Sequence, residues 1–253
     1  MLDQNFYTIL CQGFPADRDK PALVVPGGRT LSYAALETLV ARNANALVKA
    51  GVKVGDRVAV QVEKSPENVA LYLACLKGGF VYLPLNTAYT PAEIAYFLGD
   101  AEPALFVCRP ADRAAMQTAA RGIPLETLGE AGEGSWAEQV AQQKGESPIQ
   151  PRGGGDLAAI CYTSGTTGRS KGAMLTHRNL AANAVTLHRL WGFQPDDVLL
   201  HALPIFHVHG LFVALHTALL NGSTILFPAK FDARQVLELL PRATMMMGVP
   251  PFS

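Results

Sequence analysis

Short apolar runs alternate along this chain with stretches whose apolar residues recur every three or four positions, and the connections between them are short. Ala22 to Val25, Arg57 to Val62, Val81 to Leu83, Ala104 to Cys108 and Leu157 to Cys161 read as strands. A long helix follows Ser32, with Leu36, Leu39, Val40, Ala44, Leu47 and Val48 on one face and Gly51 placed to end it. Pro66 opens a second helix through Cys75, and Thr90-Pro91 supplies a hydroxyl cap and first-turn proline for a third through Leu98. Strands that are apolar without strict alternation, separated by helices, predict an α/β fold of mostly parallel sheets flanked by helices.

The same alternation continues to the last residues. Residues 2–14 read as a short amphipathic helix, and Pro26-Gly27-Gly28 as a tight turn. The stretch 109–156 is poor in apolar residues and reads as a surface excursion with one helix over 135–144 and simple slack at Gly153-Gly154-Gly155. Further helices are predicted over 178–191, 211–220 and 233–240, with strands over 198–203, 223–227 and 244–249. Met245, Met246 and Met247 read as core filler in the last of these.

Composition excludes several classes of function. The chain has 253 residues, 49% of them apolar, and a chain of that length buries about 70 to 75% of its unfolded surface. Lysine and arginine total 21, as do aspartate and glutamate, so no basic excess exists for nucleic acid and recognition of phosphate has to be local. Cys11, Cys75, Cys108 and Cys161 are far apart in sequence and read as reduced thiols, not as a zinc site or a disulfide framework. No charged leader precedes a long apolar core at the N-terminus and no segment reads as a membrane span, so the expected location is cytoplasmic.

Tyr162-Thr163-Ser164-Gly165-Thr166-Thr167-Gly168-Arg169-Ser170-Lys171-Gly172 supplies the locality. It joins the run ending at Cys161 to Ala173–Leu175, which reads as another buried strand. Glycines let the backbone fold back on itself, hydroxyls add donors and Lys171 adds a point charge, the combination that cradles a polyphosphate. It is not a Walker loop, because no Gly-Lys pair occurs in the chain, and a dinucleotide fingerprint lacks its first glycine here. A second segment with chemical potential is Ile205-Phe206-His207-Val208-His209-Gly210-Leu211-Phe212. If extended, it would put His207 and His209 on one face, with His201 as a possible third metal ligand, but no carboxylate or cysteine stands nearby to complete a set.

At the loop the chain resembles the adenylate-forming superfamily of acyl-CoA synthetases, aryl-CoA ligases, luciferases and peptide-synthetase adenylation domains. Thr163 to Lys171 fits its phosphate-loop signature, with Ser170 where proline is more usual. The likeness extends through Val81 to Asn86, Asp100 to Pro103, Thr176 to Leu180 and Leu203 to His207. It implies that residues 1–253 are the N-terminal part of the large AMP-binding domain, without the small C-terminal domain. Thr163, Ser164, Gly165, Thr166, Thr167, Gly168 and Lys171 would hold ATP phosphates. Lys171 and His207 would be catalytic, and His207, Val208 and His209 would line the acyl pocket.

Within the superfamily, Val81 to Thr90, Tyr162 to Met174 and His201 to Ala214 are most similar to malonyl-CoA synthetases. Those enzymes commonly carry a hydroxyl residue where this chain has Val208, which points to a substituted malonate. The implied reaction is ATP- and magnesium-dependent activation of malonate or a close analogue as an acyl-adenylate, followed by transfer to coenzyme A. Segments that the resemblance places downstream have no counterpart here, so the chain alone is expected to have at most vestigial activity. The alternatives are a non-catalytic ATP-binding module and a ligase of the same superfamily acting on fatty, aryl or amino acids.

Overall fold

The structure, a computed structural model, describes residues 4–163 and 170–249. Its elements run in chain order α1 (Phe6–Gln12), β1 (Pro21–Val24), β2 (Thr30–Ser32), α2 (Tyr33–Lys49), β3 (Arg57–Gln61), α3 (Pro66–Gly78), β4 (Val81–Pro84), α4 (Pro91–Ala101), β5 (Leu105–Cys108), α5 (Arg113–Ala120), β6 (Leu125–Thr127), α6 (Ser135–Ala141), β7 (Leu157–Thr163), β8 (Lys171–Thr176), α7 (His177–Trp191), β9 (Val198–Leu200), a π-helical stretch (His209–Leu215), α8 (His216–Leu220), β10 (Thr224–Leu226), α9 (Ala233–Leu239) and β11 (Met245–Met246). The chain divides into two compact units, Met1–Thr8 with Glu37–Leu180 and Ile9–Leu36 with Ala181–Ser253. Among the described residues, no helix is long and apolar enough to cross a membrane.

The first unit holds a sheet of order β6-β5-β3-β4-β7-β8. Its pairings are parallel except β7 with β8, which is antiparallel. The helices are started by the residues the sequence offers for it. Ser65 accepts from the Asn68 amide at the head of α3, whose far end is closed by Gly79 in the left-handed region at φ 72°. Thr90 and Glu93 cap α4 reciprocally, with Pro91 in its first turn. α3 is buried from Pro66 to Leu76, as expected for a helix apolar on most sides. Its Asn68 accepts from the Tyr82 hydroxyl at 2.7 Å, which ties the helix to β4. α4 and α5 cover the sheet with Ile94, Phe97, Leu98, Met116 and Ala120, packed with Ala59, Leu83, Phe106 and Leu125.

The second unit holds a sheet of order β11-β9-β10-β1-β2, parallel except for the β1–β2 hairpin. The Tyr33 hydroxyl donates to the Ser223 carbonyl at 2.8 Å, and Leu200, Ala202, Leu226, Val236 and Leu239 form a small core.

The fold class is that predicted, and the differences from the predicted elements have physical causes. The stretch 109–156 carries α5 and β6 as well as α6, because an edge strand of three residues needs little hydrophobic signal. Nor is it only surface: Trp136 is fully buried and donates through Nε1 to Asn43 Oδ1 at 2.9 Å. The triple glycine is a pinned turn instead of slack. The Gly153 amide donates to Asp156 Oδ2 at 2.8 Å, and the Gly154 carbonyl accepts from the Arg178 amide at 2.9 Å. The predicted strand over 244–249 shortens to β11 at a sheet edge, where Met246 is exposed. Cys75, Cys108 and Cys161 are buried free thiols and Cys11 is partly exposed. Burial pushes Cys161 up to about 12, so it is an inert thiol at neutral pH.

Thr90→Ala removes the cap hydroxyl of α4 and should cost about 1 kcal/mol in denaturant unfolding, with an unchanged denaturant slope. A loss within error of zero would mean the cap contributes nothing to the folded state.

Candidate active site

Two groups of predicted residues fall in separate units. In the first unit, β7 and β8 pair antiparallel with Tyr162 opposite Gly172 and Thr163 opposite Lys171. Thr163 and Lys171 are therefore brought together as the two stems of the loop, and both are exposed. Ser164, Gly165, Thr166, Thr167 and Gly168, named from the sequence as phosphate ligands, lie outside the described residues. β8 is not the buried strand that was predicted. It is the edge of its sheet, with Ala173 exposed, Met174 66% exposed and Leu175 half-buried.

An aromatic group on α4 secures both stems, which loop composition alone did not reveal. The Tyr162 hydroxyl donates to the Asp100 carboxylate. Burial is the largest cause, and this bond an additional one, of a Tyr162 pKa held well above the ordinary phenol value. On the other stem, the Tyr96 hydroxyl donates to the Ser170 carbonyl at 3.0 Å. Phe97 packs between, its ring centroid 4.5 Å from Tyr162 and 5.4 Å from Tyr96. Gly172 stands in a tight place: a Cβ there would meet Ile160 Cγ2 at 2.9 Å, so that side chain would have to shift. A signal for this group existed in the sequence, since Tyr96, Phe97 and Asp100 fall at helical spacing, but only the fold shows which strand they face.

In the second unit, His207, Val208 and His209 are not extended. His207 lies in a bend, Val208 is already helical, and His209 opens the π-helical stretch His209–Leu215, which starts two residues before the predicted helix. π-helical turns are rare and gather at functional sites. The Leu211 amide donates to the His207 carbonyl at 3.0 Å. Gly210 is a forced choice, because a Cβ there would lie 2.1 Å from the Pro204 carbonyl oxygen. His201 is buried, and its Nε2 lies 2.8 Å from the Gly210 carbonyl. A carbonyl only accepts, so Nε2 carries the proton in this contact and His201 acts as a strut that steadies the Gly210 carbonyl. Among the described residues no group of three His, Cys, Asp or Glu side chains converges as a metal site would need.

His207 and Val208 are exposed, Val208 to 49%, and His209 is partly exposed. The Phe206 and His207 rings lie 4.5 Å apart. Partial burial lowers the His207 pKa below the usual imidazole value, so at neutral pH the ring is uncharged and offers one donor and one acceptor. Farther along, burial holds the fully buried His216 at about 3, although its backbone contact with Phe212 works the other way.

This is an α/β chain in which a β-hairpin pairs Thr163 with Lys171 at the two ends of a glycine- and hydroxyl-rich stretch of sequence. The chain belongs to the AMP-binding enzyme family, whose model matches residues 14–253. It is 49% identical to ATP-bound MatB from Rhodopseudomonas palustris, with a TM-score of 0.94 over 98% of this chain and 50% of that one. A feruloyl-CoA synthase of an Amycolatopsis species is 36% identical over 226 residues, covering 88% of this chain and 44% of the relative. A mitochondrial malonate–CoA ligase of Mus musculus is 36% identical over 212 residues, covering 79% of this chain and 36% of the relative. The chain thus spans half or less of the length of each of these proteins.

His216 makes stability depend on acid in a defined direction. Above about pH 6.5 both folded and unfolded imidazoles are neutral. Below it the unfolded chain binds a proton that the folded chain refuses until about pH 3, so this residue removes up to about 1.4 kcal/mol of stability per pH unit across that window. Unfolding free energies at pH 7 and pH 5 should therefore fall more steeply in the parent chain than in His216→Gln. Equal slopes would show that His216 is not held neutral.

Proposed function

We propose that this chain is the phosphate-holding part of an adenylate-forming acyl-CoA ligase whose complete form activates malonate or a substituted malonate. The observation that carries the reading is the pairing of Thr163 with Lys171 across the hairpin, which puts a hydroxyl and an ammonium at the two stems of the loop. Loop amides, the hydroxyls of Thr163, Ser164, Thr166 and Thr167, and Lys171 would hold the β- and γ-phosphates of ATP. The likeness to an ATP-bound protein along 98% of the chain supports that assignment.

The chemistry needs no protein nucleophile. A carboxylate oxygen attacks the α-phosphorus, the bond from that phosphorus to the bridging oxygen breaks, and pyrophosphate leaves with the electron pair. The thiolate of coenzyme A then attacks the acyl carbon and AMP departs. Because nucleophile and target are both anionic, the protein acts by alignment and by screening developing charge, which is the role of Lys171. Magnesium would supply further screening on the phosphate oxygens, a mode in which it keeps several waters and takes few protein ligands. His207, uncharged at neutral pH, suits a hydrogen bond to the carboxylate end of the acyl substrate.

Malonate has to be separated from fatty, aryl and amino acids, and a malonate and a feruloyl ligase are each 36% identical to this chain. Val208, exposed beside His207, favours a malonate bearing an alkyl substituent, because its methyl groups present apolar surface where a hydroxyl would bind water. A malonate site also needs a cationic anchor for the second carboxylate, whereas an aryl site needs an apolar slot.

The test is exchange of labelled pyrophosphate into ATP with this chain and Lys171→Ala, alongside equilibrium binding of ATP. ATP should bind, the substitution should weaken it by roughly tenfold or more, and carboxylate-dependent exchange should be slight. Where exchange occurs, methylmalonate should support it better than ferulate. Strong exchange that vanishes in Lys171→Ala would show that adenylation needs nothing beyond this chain. ATP binding that is absent, or indifferent to the substitution, would overturn the phosphate-loop reading.

A further inference from the structure

The two stems of the loop are not secured in the same way. Tyr162, before the loop, is part of β7 and directs its hydroxyl away to Asp100 on α4. Ser170, after the loop, stands just outside β8, and its carbonyl accepts a hydrogen bond from Tyr96, one helical turn before Asp100 on the same helix. The Ser170 carbonyl and the Lys171 amide nitrogen belong to a single planar peptide unit. A donor that fixes the carbonyl therefore fixes the plane from which Lys171 departs.

The helix is well placed to act as that support. Its start is set by the Thr90–Glu93 capping box, and Ile94, Phe97, Leu98 and Ala101 bury its inner face. Tyr96 itself is 37% exposed, and its hydroxyl reaches a backbone atom that every residue type at position 170 would offer. Phe97 lies against both tyrosine rings and limits their swing.

We propose that Tyr96 is a positioning residue for Lys171, holding the Ser170–Lys171 peptide so that the lysine is directed before a nucleotide arrives. The inference rests on Lys171 being a phosphate ligand, as argued above, and adds a residue from outside the loop that prepares it. A lysine stem ordered in advance loses less freedom when phosphate binds, so the hydroxyl should be felt in affinity for ATP.

Tyr96→Phe removes the hydroxyl and keeps the ring. In the nucleotide-free protein, amide exchange across Lys171–Ala173 should quicken by about threefold or more, while exchange within β3 and β4 stays as it was. ATP affinity should fall by about three- to tenfold, the range expected for loss of one hydrogen bond. In a Lys171→Ala background, Tyr96→Phe should change ATP affinity by less than twofold, because its effect passes through the lysine. Unchanged amide exchange overturns the proposal whether or not ATP binds. Quickened exchange with ATP affinity unaltered, or an effect that simply adds to Lys171→Ala, overturns it too, leaving Tyr96 as packing. Failure of Lys171→Ala to weaken ATP binding in the parent chain would instead refute the phosphate reading, and the exchange data would distinguish that result.

Discussion

The antiparallel ladder between β7 and β8 is the interaction on which the rest of the first unit's site depends. β8 is an edge strand with no fully buried residue, so hydrophobic burial does little to hold it. Its place is set by backbone pairing to β7 from Leu157 opposite Thr176 to Thr163 opposite Lys171. β7 is set in turn by parallel pairing to β4 at Tyr82 and Ala159, and β4 by the Tyr82–Asn68 hydrogen bond to the buried helix α3. A chain of ordinary packing thus ends at two exposed residues of opposite stems. Rigid elements carrying a loop with little core of its own are the usual way a fold places chemistry at a surface.

A second regularity joins the two candidate groups although they lie in different units. In each, a side chain outside the candidate residues holds a backbone carbonyl next to them: Tyr96 holds that of Ser170, and His201 holds that of Gly210. The residues expected to meet substrate, Lys171 and His207, stay exposed. Holding the backbone instead of the functional side chain leaves the ammonium or imidazole its full set of donors and acceptors for a ligand. Glycine also sits close against a neighbour in each group, Gly172 beside Ile160 and Gly210 beside the Pro204 carbonyl.

Much of this was legible in residues. Ser32 ahead of α2, the Thr90-Pro91 start of α4 and the loop between two strands are all where local chemistry puts them. Such signals act over three or four residues and survive any tertiary context. Three kinds of feature were not legible. β6 is too short for a periodic signal, and its pairing with β5 is what makes it a strand. Gly153-Gly154-Gly155 has the composition of slack, but the neighbouring Asp156 carboxylate and the distant Arg178 amide make it a fixed turn. The π-helical stretch after Val208, with Gly210 close against Pro204, is not encoded in apolar spacing.

By itself, then, the sequence determined the α/β class, the helix starts, the loop with its lysine and the family likeness, because each is written in local composition, period and spacing. Tertiary structure alone decided that β8 is an exposed edge, that His201 is a strut, and that Tyr96, Phe97 and Asp100 meet the two ends of the loop. Those facts depend on which strand lies beside which helix, and that is fixed by long-range pairing and burial summed over the unit. No short stretch of residues carries such information, since the Tyr96 hydroxyl and the Ser170 carbonyl that it meets are 74 positions apart in the chain.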